Sequence, residues 1–330
     1  MRIAIDAMGG DYAPQEVLKG VSLALKSDPG LEIVLVGKKE TIEAMVREEG
    51  LSFNYSLLSA SEEISMGEKA VISVRRKKDS SIVKGIQLLK EGRADAFISF
   101  GNTGAVVAAS TLYLGLIEGV ERAGIALVYS GLHGPSLIID VGANIDAKPQ
   151  YLFKYGIMAS IYAQEVLGIE RPRIGLLNIG EEESKGTGFI KEVHTLFERS
   201  SLNFIGNVEG KDIFRDICDC IICDGFVGNI TLKVAEGTME AMGSFLVSEL
   251  KSSLWGRLSL LLGKGSFERL KRLGDYAEYG GAPLLGINGL VIIGHGRSRA
   301  LAVKNAIRVA KKEIKQNITE KIQEKINVIG

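Results

Sequence analysis

The sequence predicts an α/β protein built on a doubly wound, largely parallel sheet. Short β-branched apolar runs, the mark of strands buried on both faces, alternate with amphipathic stretches of helical period. Five of these runs lead into Asp or Asn beside Gly, the polar grammar expected where open α/β sheets bind ligands, just outside the carboxyl ends of their strands. The 330 residues are 46% apolar, with 40 Gly and 6 Pro, which is enough for a large core and many tight turns.

The strand Ile3–Asp6 leads into Ala7-Met8-Gly9-Gly10-Asp11, and Pro14 opens a helix to about Leu25. Leu31–Val36 reads as a strand and Thr41–Glu49 as an amphipathic helix closed by Gly50. Arg75-Arg76-Lys77-Lys78-Asp79-Ser80-Ser81 then places four cations before a capping Ser at a helix over 82–91. Unpaired N–H groups and partial positive charge at a helix start suit an anion, so this stretch is expected to hold phosphate. The strand Asp95–Ser99 delivers Gly101-Asn102-Thr103-Gly104 to a further helix start, a second backbone cradle.

The strand ending at Ile139 presents Asp140, Gly142 and Asn144. A long helix from Pro149 to Leu167 follows, then the strand Arg173–Asn178 and a polar loop carrying Lys185. Residues 203–207 and 219–224 read as strands, and 226–250 as a long helix with Asn229 in its first turn near Asp224. Residues 279–286 read as a glycine-rich loop, and Leu290–Ile293 as a last strand that brings His295 to the same sheet edge as Asp140 and Asp224. The final helix shows Ala310, Ile314, Ile318, Ile322 and Ile326 every four residues, a packing face toward this chain or a second copy.

Forty basic and forty acidic residues cancel, which gives no whole-molecule reason to expect nucleic acid. With no leader-like start and no apolar run long enough to span a bilayer, a soluble, cytoplasmic protein is expected. Cys218, Cys220 and Cys223 lack paired Cys-x2-Cys spacing and have none of His133, His194 or His295 nearby in sequence, so they read as reduced thiols and no metal site is expected. Neither G-x-G-x-x-G nor G-x-x-x-x-G-K-[ST] occurs, so nucleotide chemistry lacks its usual marks.

Residues 253–272 break the α/β rhythm. Leu254, Leu258, Leu261 and Leu262 recur at helical spacing beside Trp255, and cations outnumber the single acid Glu268. A basic amphipathic hairpin over 253–273 is expected to dock on an anionic membrane surface or on a second subunit.

Several segments together resemble the bacterial phosphate acyltransferases that make acyl phosphate from acyl-[acyl-carrier protein]. They are Ile5-Asp-Ala-Met-Gly-Gly-Asp11, Lys77-Lys-Asp-Ser-Ser81, Gly101-Asn-Thr-Gly-Ala105, Asp140-Val-Gly-Ala-Asn144 and Gly175-Leu-Leu-Asn-Ile-Gly-Glu-Glu182. Gly206-Asn-Val-Glu-Gly210, Asp224-Gly-Phe-Val-Gly-Asn229 and Glu278-Tyr-Gly-Gly-Ala-Pro-Leu-Leu-Gly286 continue the match in order along nearly the whole chain. The sequence departs from the family pattern at Ala70, where proline is usual, and at Ser73 and Phe100, where alanine is usual. Gly294-His-Gly-Arg-Ser298 stands where the family has Ala-His-Gly-Ser-Ser.

The resemblance implies a three-layer α/β/α sandwich like that of isocitrate and isopropylmalate dehydrogenases, with residues 1–330 as one catalytic domain of two intertwined lobes and a mixed, mostly parallel sheet. It implies a homodimer acting on acyl-[acyl-carrier protein] and inorganic phosphate without cofactor. The product would feed a membrane glycerol-3-phosphate acyltransferase of phospholipid synthesis at the inner face of the cell membrane. On this reading Lys77, Lys78, Asp79, Ser80, Gly101, Asn102 and Thr103 bind phosphate, and Asp6, Gly9, Gly10, Asp11, Asp140 and Asn144 line the substrate site. Lys185, Asn229 and His295 polarise the carbonyl or protonate the leaving group, with Asp224 and Asp140 orienting them. Two alternatives stand beside it: a nicotinamide-dependent decarboxylating dehydrogenase on the same fold, and a non-catalytic carrier-protein or membrane scaffold.

Overall fold

In the computed structural model, which describes residues 1–131, 134–263, 265 and 280–329, eleven strands form one mixed sheet. The strands are β1 (Arg2–Asp6), β2 (Glu32–Gly37), β3 (Ser56–Ser59), β4 (Ala96–Ser99), β5 (Gly124–Ser130) and β6 (Pro135–Ile139), then β7 (Ile174–Asn178), β8 (Phe204–Glu209), β9 (Cys220–Ile222), β10 (Ala282–Leu285) and β11 (Val291–Ile293). Their spatial order is β3-β2-β1-β4-β11-β10-β5-β6-β9-β7-β8.

The strands are apolar throughout because successive residues feed two different cores, one on each face of the sheet. Ile3, Ile5, Ile33, Leu35, Leu137 and Ile139 face one core. Ala4, Val34, Val36 and Ile138 face the other. The first core is closed by α1 (Gln15–Ser27), α6 (Pro149–Tyr162), α7 (Gly188–Glu198), α10 (Ala300–Gln316) and α11 (Ile318–Ile329); the second by α3 (Ala70–Arg76), α4 (Ser81–Lys90) and α5 (Thr103–Tyr113). The remaining helices are α2 (Lys39–Glu48), α8 (Gly225–Ser252) and α9 (Leu254–Leu262). The expected three-layer α/β/α sandwich is therefore present.

Tertiary packing overrides several local readings. The C-terminal stripe belongs to two helices, because Asn317 adopts a left-handed conformation (φ 50°) and ends α10. Ala310, Ile318, Ile322 and Ile326 are buried in this chain's own core, so the stripe is an internal face. The 279–286 loop contains the fully buried strand β10, and β3, β5, α3 and α7 escaped the sequence reading. Cys218, Cys220 and Cys223 are buried free thiols around β9, as expected, with burial pushing each pKa up. Of the 253–273 hairpin, residues 264 and 266–273, and the side chain of Leu261, lie outside the described residues.

The sheet is parallel from β3 to β11 and again from β6 to β8. Between these halves the pairs β11–β10, β10–β5 and β5–β6 are all antiparallel. Three reversals leave the two halves running in opposite directions. The carboxyl ends of β1, β4 and β11 thus lie at one end of β10, where Ala282 pairs with Ile293. Those of β6, β7 and β9 lie at the other, where Leu285 pairs with Gly124. His295 is therefore not at the sheet edge of Asp140 and Asp224, contrary to expectation. A count of strands from sequence misses β5 and β10, and with them the reversal.

The loops after β1, β4 and β11 pack against one another. A Cβ on Gly294 would lie 2.0 Å from Cδ1 of Phe100, a fully buried ring. The family pattern has alanine at both positions, so Phe100 and Gly294 are one exchange of volume across a contact rather than two independent departures. Gly294→Ala alone should cost about 1–3 kcal/mol by overpacking, and Phe100→Ala alone about 3–5 kcal/mol by leaving a cavity. The double variant should be clearly more stable than the sum of these losses. Denaturant unfolding of all four proteins tests this; additivity within about 0.5 kcal/mol would show that the two positions do not compensate.

Glu313 on α10 is completely buried and accepts a hydrogen bond from Tyr162 Oη at 2.6 Å. Burial disfavours its charged form and raises its pKa to about 8. The folded state therefore holds a proton that the unfolded chain releases near 4.5, and stability falls as pH rises from about 4.5 to 8. Glu313→Gln keeps an acceptor for Tyr162 and removes the titration. It should gain stability over the native protein at pH 8 but not at pH 4.5, seen as converging melting curves toward acid; a constant offset across that range would contradict the assignment.

Candidate functional site

Most of the strand-end carboxylates and amides are structural. Asp6, at the end of β1, is fully buried and accepts from Ser99 Oγ at 2.7 Å and Met8 N at 3.0 Å. It ties the β1 and β4 loops together, and desolvation raises its pKa despite these bonds. Gly9 is required beside it, since a Cβ there would fall 2.5 Å from Asp6 Oδ2. Gly10 turns at φ 105°, and Asp11 N donates to the Gly296 carbonyl at 2.8 Å, so the β1 loop is fastened to the His295 loop.

Asp140 is equally committed. Its Oδ1 accepts from the N–H groups of Ile125, Gly142 and Ala143 at 2.8–3.1 Å, and its Oδ2 from Asn144 N at 2.8 Å. The Asn144 amide donates to the Ala123 carbonyl and to Tyr155 Oη. These two residues build the β6 loop and offer substrate little. Asp224 caps α8 by accepting from Phe226 N and Val227 N, each at 2.9 Å.

Several polar side chains of the two expected phosphate cradles are also committed to hydrogen bonds. Ser80 caps α4, accepting from Val83 N, and is fully buried. Lys77 donates to the Glu63 carbonyl and to Glu68 Oε1 at 2.7 Å. Lys77, the N–H and hydroxyl of Ser65 and the hydroxyl of Ser73 hold the Glu68 carboxyl down at about 2. Asp79 pairs with Lys84 and accepts from Ser61, while Glu62 accepts from Asp79 N, so the chain's own carboxylates cover this helix start. Lys78 remains exposed. Asn102 caps α5 through Ala105 N and donates to the carbonyls of Ser65, Met66 and Glu68; it too is buried. Gly101 N donates to Ser99 Oγ, and Thr103 begins α5. The capping chemistry was legible in sequence; that it consumes the same groups was not.

What does remain open lies along α8. This helix leaves the β6/β9 end of the sheet at Asp224 and reaches the β11 end. Asn229 is exposed and lies over Gly142 (φ 137°). One turn on, Lys233 Nζ stands 3.1 Å from His295 Nε2 and 3.0 Å from Glu236 Oε2. Two turns beyond Lys233, Glu240 pairs with Arg297 at 3.2 Å. Asn229, Lys233, Glu236 and Glu240 share one helical stripe by their spacing. The stripe links the two ends of the sheet that strand direction had separated, with Asn229 beside Gly142 at one and Lys233 beside His295 at the other. Lys233 was missed in sequence; its i+4 spacing from Asn229 was the available signal.

His295 accepts at Nδ1 from Arg297 N at 3.1 Å, which places the neutral ring's proton on Nε2. Burial first, and the Lys233 charge second, lower its pKa. Lys185 is exposed in the loop after β7, its carbonyl accepting from Asn178, and forms no ion pair among the described residues. No group of three or more His, Cys, Asp or Glu that could hold a metal occurs among the described residues. The arrangement offers neutral donors and cations beside an open helix face, suited to an anion and a developing oxyanion.

Residues 1–321 match the family described as fatty acid synthesis protein. The phosphate acyltransferase of Dictyoglomus turgidum is 48% identical over 334 residues, spanning 100% of this chain and 98% of that protein. The phosphate acyltransferase of Heliobacterium modesticaldum is 48% identical over 328 residues, spanning 99% and 98%. A phosphotransacetylase from Streptococcus pyogenes shares the fold with a TM-score of 0.64 at 18% identity, over 96% of this chain and 94% of that one. A 4-hydroxythreonine-4-phosphate dehydrogenase from Klebsiella pneumoniae does so with a TM-score of 0.52 at 14% identity, over 96% and 98%. Matched over nearly its whole length at this identity, the chain belongs to the phosphate acyltransferase family.

Proposed function

We propose that this chain converts acyl-[acyl-carrier protein] and inorganic phosphate to acyl phosphate. The observation that carries the reading is the open stripe of α8 facing His295, with Asn229 and Lys233 as side-chain donors, in a chain of this family. Hydrogen phosphate is already a nucleophile, so no Ser-His-Asp triad is needed. One of its oxygens bonds to the thioester carbon and the C–S bond breaks. The thiolate departs, and the proton of hydrogen phosphate ends on the thiol. The protein holds the two reactants together and stabilises the oxyanion. In this reading Asn229 and His295 donate to that oxyanion or to the departing sulfur. Lys185, on its exposed loop, is a further cation for the carrier-linked donor. Family membership favours this chemistry over a nicotinamide-dependent dehydrogenation, and over a scaffold without turnover.

The same reading includes a second copy of the chain and a membrane surface. Val234, Met242 and Phe245 are 61%, 63% and 73% exposed on the side of α8 away from the Asn229 stripe, an apolar flank that supports a homodimer. On α9, Leu254, Trp255 and Leu262 are 80–82% exposed and Leu258 43%, which supports docking of that helix on an anionic bilayer. Among the described residues no helix is long and apolar enough to cross a membrane. Delivery at the inner face of the cell membrane would bring a labile acyl phosphate close to a membrane glycerol-3-phosphate acyltransferase.

Incubated with acyl-[acyl-carrier protein] and phosphate, the protein should yield a product trapped by hydroxylamine as acyl hydroxamate. His295→Ala should lower kcat by about 10²–10⁴-fold, the range for a positioned acid or oxyanion donor. Turnover that persists without phosphate would sink the reading.

Leu258→Glu with Leu262→Glu should abolish sedimentation with anionic vesicles while leaving soluble turnover intact. Undiminished vesicle binding by the double variant would remove α9 as the anchor.

A further inference from the structure

We infer that the outer face of α3 is the docking surface for the protein that carries the acyl thioester, and that the matching face of that carrier is acidic with an apolar centre. The inference rests on the acyl-transfer reading for the identity of the partner. The surface itself rests on the composition and exposure of one short stretch. Residues 69–78 hold five cations and no acid, in a chain whose 40 basic and 40 acidic residues cancel overall. The helix buries Ser73 and Val74 and leaves Val71, Ile72, Arg75 and Arg76 exposed. Spacing of i,i+4 sets Val71 beside Arg75 and Ile72 beside Arg76, so aliphatic and cationic groups share one face. Val71 and Ile72 are 55% and 47% exposed, and Met66, at 51%, adds apolar surface next to the helix start.

The charge on this face is not neutralised from within. Lys77 is tied to Glu68, but Lys69, Arg75, Arg76 and Lys78 form no hydrogen bond or ion pair among the described residues. The acids nearest in sequence are engaged elsewhere: Glu63 with Lys38, Asp79 with Lys84, and Glu62 with the N–H of Asp79. Uncompensated positive charge around exposed aliphatic side chains calls for a negative partner with an apolar patch of its own. Of the two substrates in the acyl-transfer reading, phosphate is too small to use a face this wide, which leaves the carrier. A bilayer fits less well, since valine and isoleucine reach little beyond the helix surface, whereas α9 presents Leu254, Trp255 and Leu262. The position also suits a carrier. A Cβ on Gly296 would lie 3.0 Å from Met66 Cε, and the Asn102 amide holds the carbonyls of Ser65, Met66 and Glu68. The α3 surface therefore borders the His295 loop, where a docked carrier would present its flexible thioester arm.

Arg75→Glu with Arg76→Glu reverses the charge, and Arg75→Lys with Arg76→Lys keeps it. Two readouts test the surface: the Kd of acyl carrier protein for each variant by calorimetry, and steady-state kinetics with acyl-carrier protein or with acyl-pantetheine, a thioester donor that has no protein part. The Glu pair should weaken carrier binding about 10–100-fold and raise the KM for acyl-carrier protein to match. Its turnover of acyl-pantetheine and its phosphate KM should change less than about twofold. The Lys pair should bind carrier within a few-fold of the native protein, and added salt should weaken carrier binding to the native protein more than to the Glu pair. Equal carrier Kd for native protein and the Glu pair would overturn the surface. So would a Glu pair that loses binding to anionic vesicles while keeping its carrier affinity, which would give the face to lipid. A native protein that binds carrier through Arg75 and Arg76 but forms no acyl phosphate would instead overturn the functional reading and leave the docking surface standing.

Discussion

Three consecutive antiparallel pairings, β11–β10, β10–β5 and β5–β6, sit in the middle of an otherwise parallel sheet, and the rest of the molecule depends on that reversal. Ligands in open α/β sheets gather where strand carboxyl ends open a crevice. Here the reversal sends those ends to opposite sides of β10. One set carries Gly9, Gly10, Asp11 and His295; the other carries Asp140, Asp224 and the loop of Lys185. The helix α8 links them, from Asp224 at one end to Glu240 beside Arg297 at the other.

Around that bridge, buried carboxylates act as scaffolding. Asp140 gathers four backbone N–H groups into a tight loop, and Asp6 clamps the β1 and β4 loops together. A carboxylate removed from water loses several kcal/mol of hydration unless donors replace it. Main-chain N–H groups supply that replacement without bringing a second charge into the core. The result is rigid loops whose polar atoms are already spent. Such loops position neighbouring groups well and bind substrate poorly. The side chains proposed to act sit on the exposed stripe of α8 and on the glycine-flanked His295 loop that those clamps hold in place.

The Phe100–Gly294 contact shows how that positioning is kept through sequence change. A ring fills the space under the His295 loop, and the residue above it has lost its Cβ. Close packing makes volume a shared property of neighbours, so two departures far apart in sequence become one adjustment in space. The loop thereby retains its fastening to Asp11 through Gly296.

By itself the sequence determined the layered α/β class, through runs such as Ile3–Ile5 and Leu137–Ile139 that can only be buried on both faces. It determined the helix cap at Ser80 and the helix starts after Gly101 and Asp224, because helix starts are signalled locally by short polar side chains and glycine. It also determined the family, through motifs spread along the chain. Only the tertiary structure decided which of those polar residues stay available. Ser80, Asn102, Asp140 and Asn144 are consumed by hydrogen bonds to groups nearby in sequence or remote from it, and sequence reports the residue type without its partners. Strand direction was likewise hidden, because it is set by which strands pair across the sheet, β5 and β10 among them, and no local pattern reports that pairing. The pairing of Lys233 with His295, 62 residues apart, was decided by where α8 crosses the sheet, a consequence of packing that no local pattern encodes.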